Sequence, residues 1–218
     1  MLITHKHIDE NFEYTGSQID QSWAFKSFGI KGSNIITWIG SMNILLENLK
    51  DFEDFGLEIK SDKMIHFVIE HFDQQPANLR LNYMRQRLLV MILQEELAKK
   101  GISAIRKGDD IYIGSNHIPS NHDSNSNLVD DLYKLTVSIA TVSPSSMKIH
   151  LGINITTNGT PEDINTVGLF DLIEKNGNDN YKYYFNNDNI LDFINFIVNT
   201  YIDELNDIES DISKTKLL

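Results

Sequence analysis

A single α+β domain is what this chain predicts, on three observations. Two stretches carry helical periodicity, at 76–100 and 189–213. Around them lie short β-branched runs, two of which face each other across a Ser-Pro-Ser turn. A length of 218 residues with 41% hydrophobic content fits one core with insertions better than two full-sized domains.

From the N-terminus, Ile19–Phe28 brings Ile19, Trp23 and Lys26 to helical spacing, and Gly29 stands where a helix would stop. Asn34–Ile39 is β-branched and aromatic and reads as a strand closed by Gly40. Residues 44–60 are acidic and show no clean period. Lys63–His71 reads as the next strand, which Pro76 ends. The clearest helix runs from Pro76 to Lys100, with Pro76 in its first turn and Leu81, Met84, Leu88 and Ile92 as its apolar stripe. Gly101 follows as the stop. Ser103–Arg106 and Asp110–Ile113 form two short strands joined by Lys107-Gly108-Asp109. Residues 114–131 and 175–187 are polar and read as insertions, the first as a mobile surface segment. Between them stands a hairpin, Tyr133–Val142 and Met147–Thr156, with its turn at Ser143–Ser145. Asn189–Ser213 is a terminal amphipathic helix carrying Ile190, Phe193, Ile194, Ile197 and Tyr201.

Composition removes several function classes. A formal charge of −12 argues against broad contact with nucleic acid, which needs clustered Lys and Arg. With no cysteine there is no disulfide, thiolate metal site or thiol nucleophile. The start, MLITHKHIDENF, lacks an apolar run of signal-peptide length, and no stretch approaches the length of a membrane span. A soluble, cytoplasmic protein with no membrane partner is the expectation.

The hairpin carries the chemistry. Strand residues alternate faces, so Met147, Ile149, Leu151 and Ile153 oppose Lys148, His150, Gly152 and Asn154. Likewise Leu135, Val137 and Ile139 oppose Lys134, Thr136, Ser138 and Ala140. A turn of odd length makes the two polar faces coincide, setting Lys134 near Asn154 and Ser138 near His150. Such a face is either a solvated sheet surface or a binding surface. The small residues Ser138, Ala140 and Gly152 favour a site, because they leave room for a ligand on the sheet.

Three stretches stand in a recognisable order: Arg106-Lys107-Gly108-Asp109-Asp110-Ile111-Tyr112-Ile113, then Lys134-Leu135-Thr136-Val137-Ser138-Ile139, then Ile149-His150-Leu151-Gly152-Ile153-Asn154-Ile155. Together they resemble the signature of the biotin and lipoate protein ligases. The chain is more similar still to an archaeal family known as domain of unknown function 366, through residues 106–112 and 138–144. The resemblance implies a mixed, largely antiparallel sheet backed by helices, of the class II aminoacyl-tRNA synthetase and biotin ligase type. It implies a small carboxylate or acyl donor as ligand and an acceptor protein as partner, with a homodimer also open. ATP and magnesium are the cofactors it brings into question. Lys134 takes the place of the catalytic lysine that touches acyl carbonyl and phosphate. Asp110, with Asp109 beside it, matches the aspartate of the ligase motif, Asn154 its closing asparagine, and Arg106 stands in for a lysine. Ser138, His150 and Gly152 complete the expected ligand-binding set. Two features depart from the ligases: the Gly/Arg loop that covers the adenylate has no counterpart, and Lys107-Gly108 replaces Trp-Pro. An acyl transferase with a preactivated donor, a sensor or carrier, and a degenerate scaffold need no such loop.

Other groups carry less. His66 and His71, five apart on one strand, belong to opposite faces. His117, His122 and Asp123 share a polar insertion and make a weak metal signal, so no metal site is assigned. His5 and His7 are assigned to a flexible terminus. Trp23 and Trp38 belong either to the core or to a pocket wall.

Overall fold

The computed structural model describes residues 2–119, 132–176 and 180–216. The strands are β1 (Thr4–Ile8), β2 (Asn34–Asn43), β3 (Lys60–His71), β4 (Ala104–Lys107), β5 (Asp110–Gly114), β6 (Leu132–Lys134), β7 (Thr136–Val142), β8 (Met147–Asn154), β9 (Ile173–Asn176) and β10 (Asn180–Tyr183). The helices are α1 (Trp23–Phe28), α2 (Leu79–Lys99) and α3 (Ile190–Lys214). Five strands form the main sheet in the order β1-β2-β3-β8-β7, and β4-β5-β6 form a second sheet. Only the β1–β2 pair of the main sheet is parallel, so the architecture is α+β with a mixed, largely antiparallel sheet. The two sheets meet at Leu135, whose N–H donates to Ile111 O (2.8 Å) and whose carbonyl accepts from Asn154 N (3.0 Å).

Alternation on β2, β3 and β8 divides the apolar side chains between two layers. Ile35, Ile65, Phe67, Ile69, Ile149, Leu151 and Ile153 join α2 and α3 in the larger core. Ile36, Trp38, Met64 and Val68 join Tyr14, Ile19 and Ala24 on the other face, under the N-terminal segment. Trp38 is therefore a core residue: its ring stacks on Phe12 at 4.3 Å and its indole N–H donates to Phe12 O at 3.0 Å.

Several boundaries differ from the expectation, each for a local reason. β2 runs on through Gly40, because an irregularity between Gly40 and Met42 keeps it paired with β3. A Cβ at Gly40 would lie 2.1 Å from Phe12 O, so the glycine marks a close approach. Pro76 does not open α2: it forms a cis peptide with Gln75, and Asn78 caps the helix by accepting from Leu81 N at 3.0 Å. The buried face of α2 is also turned from the expected stripe, with Met84 61% exposed while Asn82, Arg85, Gln86, Leu89 and Leu93 are buried. Polar residues can occupy this face because each has a partner. Asn82 Nδ2 donates to Thr141 O (2.9 Å) and Lys148 O (2.8 Å), and Arg85 pairs with Asp73 at 2.6 Å. The stretch at 175–187 overlaps the β9–β10 hairpin, beyond which Phe185 packs into the core. Of the insertion at 114–131, the described part is the end of β5 and a turn at Ser115–His117. His117 is buried there, its Nε2 accepting from Ser103 N; residues 120–131, with His122 and Asp123, lie outside the described residues. His5 and His7 are ordered on β1, each 2.9 Å from Thr37 Oγ1.

His66 and His71 do take opposite faces. His71 meets Tyr201 Oη of α3 at 3.0 Å, and His66 Nδ1 meets His150 Nε2 at 3.0 Å in the opposite layer. Burial keeps all three imidazoles neutral, lowering His66 to about 4, His71 to about 3 and His150 well below its ordinary value.

Two predictions follow from this packing. Asn82→Ala removes both hydrogen bonds from α2 to the hairpin carbonyls of Thr141 and Lys148 and should lower unfolding free energy by about 1–3 kcal/mol in urea denaturation. The second concerns pH. The lowered folded-state values mean that the unfolded chain binds protons that the native protein refuses. Stability is then full above about pH 6.5 and falls as pH drops toward 4, by about 1.4 kcal/mol per pH unit for each such histidine. Melting followed from pH 7 to 4.5 should show that decline, and His66→Phe should flatten it.

Candidate functional site

A cavity of about 280 Å³ opens over the face of β7 and β8 that is turned away from the long helices. Its floor is Val137 and Ile139 from β7 with His150 and Asn154 from β8. Tyr14, Gly16 and Ile19 close one side, and residues 48–60 form a wall. That wall is the acidic stretch without a period. It folds as two single 3-10 turns, Leu46–Asn48 and Phe52–Asp54, the second capped by Asp51, whose carboxylate accepts from Glu53 N. Its chain is held to the N-terminal segment by Asn48 Nδ2 donating to Thr15 O (2.9 Å) and Leu45 N to the same oxygen (3.2 Å).

Lys134 and Asp110 line the cavity together, Nζ to Oδ2 at 2.8 Å, both side chains about a quarter exposed. Their positions follow from β5–β6 pairing, which sets Lys134 opposite Tyr112. The Thr166 segment holds the other side, with Lys134 N donating to Asn165 O and Val167 N to Lys134 O. Burial raises the Asp110 carboxyl, against the pull of the Lys134 ammonium. Across the wall, burial and then Asp51 raise Asp54. Five carboxylates (Asp51, Asp54, Glu58, Asp109, Asp110) and three lysines (Lys50, Lys60, Lys134) border the space. Lys60 is tied to Glu58 at 2.6 Å and Lys50 to Asp20 at 3.7 Å, outside the lining.

The expected residues divide. Lys134, Asp109, Asp110, Ser138, His150 and Asn154 all border the cavity, whereas Arg106 and Gly152 do not. Arg106 sits on the exposed hairpin, donating to Gly108 O in the turn that Gly108 opens at φ 65°. Gly152 is closely covered by its neighbours: a Cβ there would stand 2.9 Å from Met64 Cε and 3.1 Å from Val137 Cγ2. The expected pairing of Ser138 with His150 is wrong. The turn spans four residues, 143–146, so Val142 pairs with Met147 and Ser138 falls opposite Leu151. One residue of register exchanges faces. Ser138 Oγ therefore meets α2, accepting from Gln86 Nε2 (2.7 Å) and donating to Asp109 Oδ2 (2.9 Å), while Arg87 pairs with Asp109 at 3.0 Å. Val137 and Ile139 take its place beside His150.

Sequence reasoning missed Tyr14, Gln86 and the 48–60 wall. Tyr14 gives no periodic signal because it lies in an irregular segment bridged to Met42. Gln86 is concealed by the assumption that a buried helix face is apolar. Residues 48–60 give no periodic signal because the segment folds as single 3-10 turns. His150 is a hydrogen-bonded residue of the buried layer, 2% exposed, with Tyr14 stacked on it at 3.6 Å. Among the described residues, no group of three or more His, Asp or Glu converges to hold a metal ion, and no helix is long and apolar enough to cross a membrane.

Comparison with known proteins finds relatives over the whole chain. An uncharacterised protein of Methanocaldococcus jannaschii is 35% identical over 214 residues, covering 95% of this chain and 82% of that protein. The solved structure of a protein of unknown function from Pyrococcus horikoshi is 32% identical, covers 100% of both chains and superposes with a TM-score of 0.78. A far more distant likeness, 11% identical with a TM-score of 0.48, links 94% of this chain to 75% of the Helicobacter pylori biotin acetyl coenzyme A carboxylase synthetase, solved with biotinylated ATP. At that distance it lends no residue a role. The family model described as "Domain of unknown function (DUF366)" matches residues 3–216, and the chain belongs to that family.

Proposed function

We propose that the cavity binds a small carboxylic acid or an activated acyl derivative of one, with its carbonyl end at Lys134, and that an acyl group arriving as a thioester is passed to an acceptor nucleophile as the thiol leaves with the acceptor's proton. The observation that supports this most is the placement of Lys134. It is the lining lysine in direct contact with Asp110, and it shares the lining with the apolar side chains of Val137, Ile139, Met42, Ile44 and Ile59. A cation beside apolar side chains suits a ligand with a hydrocarbon body and a carboxylate or polarised carbonyl head. The sequence resemblance to acyl-transferring ligases points the same way.

A bare triphosphate fits this lining poorly, since Asp51, Asp54 and Glu58 stand on the wall it would meet. A donor activated before it binds therefore suits the site better than ATP. The same acidic wall favours a second reading, a sensor or carrier that holds the acid without turnover.

Thermal melting with octanoate, octanoyl-CoA, biotin, lipoate and ATP–magnesium separates these readings. A ligand at 100 times its dissociation constant adds about 2.7 kcal/mol, which is a visible shift. An acid or acyl thioester should raise the melting temperature of the wild type, and Lys134→Ala should lose the shift while still folding. Asp110→Asn releases the ammonium from its partner and should tighten carboxylate binding. Transfer from octanoyl-CoA to hydroxylamine, measured on the same proteins, should appear for a transferase and be absent for a carrier. No shift with any acid or thioester would contradict both readings.

A further inference from the structure

Two polar groups that border the cavity, His150 in its floor and Tyr14 at its side, are not used by the proposed chemistry at Lys134. His66 Nε2 lies 3.2 Å from the carbonyl oxygen of Gly40, so that nitrogen carries the proton and donates. His66 is neutral, leaving Nδ1 as an acceptor. The nitrogen it faces, His150 Nε2 at 3.0 Å, must then be the donor. One proton is all that a neutral His150 has, so its Nδ1 is a bare lone pair. Among the described residues nothing donates to that Nδ1, and His150 borders the cavity. Tyr14, stacked on His150 at 3.6 Å, also borders it, and no described residue bonds the Tyr14 hydroxyl. The Gly40–His66–His150 chain thus fixes an acceptor in the floor, and Tyr14 adds an O–H beside it.

We propose that the Tyr14–His150 end of the cavity is a subsite for a neutral group offering an N–H beside a carbonyl, so that the preferred ligand is an acid whose far end carries an amide-type function. This rests on the reading of Lys134 as the site of the acid head. His150 Nδ1 accepts from the ligand N–H, and the Tyr14 hydroxyl donates to its carbonyl. His66 is a positioning residue: it touches no ligand and acts by holding the tautomer of His150. From Asn154, which borders the acid end, to His150 is four residues of one strand, about 13 Å. That length accommodates a short chain bridging the two ends. An alkyl tail would leave both polar groups desolvated and unpartnered, and sites of this kind discriminate strongly against ligands lacking the bonding group.

The test compares suberic acid monoamide with nonanoic acid, which match in chain length and differ at the far end. The monoamide should bind the wild type at least about tenfold more tightly in titration calorimetry. His150→Phe should remove that preference. His66→Phe should narrow it, and nitrogen-15 spectra of that variant should show His150 exchanging between two neutral tautomers. In the wild type without ligand, the same spectra should show both imidazoles neutral and protonated on Nε2, a readout that stands even if neither variant folds. Equal affinity for the two acids, or a proton on His150 Nδ1, would overturn the proposal. Nonanoate binding that depends on Lys134 reports on the acid head alone. Its survival without a monoamide preference overturns only this subsite, and failure of both acids to bind overturns it together with the reading of the acid head.

Discussion

The four-residue turn at 143–146 decides which side chains of β7 and β8 face the cavity and which face α2. Ser143 N donates to Ser146 O, the two hydroxyls lie 2.9 Å apart, and Ser146 Oγ donates to the buried carboxylate of Glu70 at 2.7 Å. Gln75 fastens the turn from outside by donating to Ser145 O. With the turn so held, β7 has one register against β8. Val137 and Ile139 line the cavity beside His150, and Ser138 and Ala140 turn to the helix layer. Lengthening or shortening the turn by one residue would turn the Ser138 side chain to the His150 face and Ile139 against α2.

The helix α2 completes this arrangement with polar groups. Asn82 satisfies two carbonyls near the hairpin's end, and Gln86 ties Ser138 to Asp109. Asp109 and Asp110 are neighbours with separate tasks. The first is bound to Gln86, Ser138 and Arg87 and fixes the β4–β5 turn against the sheet, while the second meets Lys134 in the cavity. Asp109 stands in the turn against α2 and Asp110 opens β5 beside Lys134, so a motif of two adjacent aspartates supplies one anchor and one cavity group.

Much of this was legible in the sequence because it depends on short-range pattern. The two long helices, the hairpin and the β4–β5 turn follow from periodicity and from Gly108. Lys134, Asp110 and Asn154 follow from motif order and do share the cavity. The face of Ser138 was not legible, since parity depends on the exact closing residue of a turn and Ser143–Ser146 contains four plausible ones. Nor was the buried face of α2, where Asn82, Arg85 and Gln86 conceal the apolar stripe behind hydrogen bonds that only tertiary structure supplies. The 44–60 wall has no period because its turns are single and its contacts are with distant Tyr14 and Thr15 neighbours. Gly152 shows the converse case: a glycine that suggests room for a ligand is filled by Met64 and Val137.

The central claim is that ligand lies on the β7–β8 face between Lys134 and the Tyr14–His150 pair. Backbone amide shifts in the nitrogen-15 spectrum, recorded during titration with octanoate, test it most directly. The account predicts that the largest changes fall at 134–139, 150–154 and the 48–60 wall, and that they disappear in Lys134→Ala. Changes centred instead on the outer groove of α2, lined by Arg80, Tyr83, Met84, Arg87, Leu88 and Met91, would contradict it.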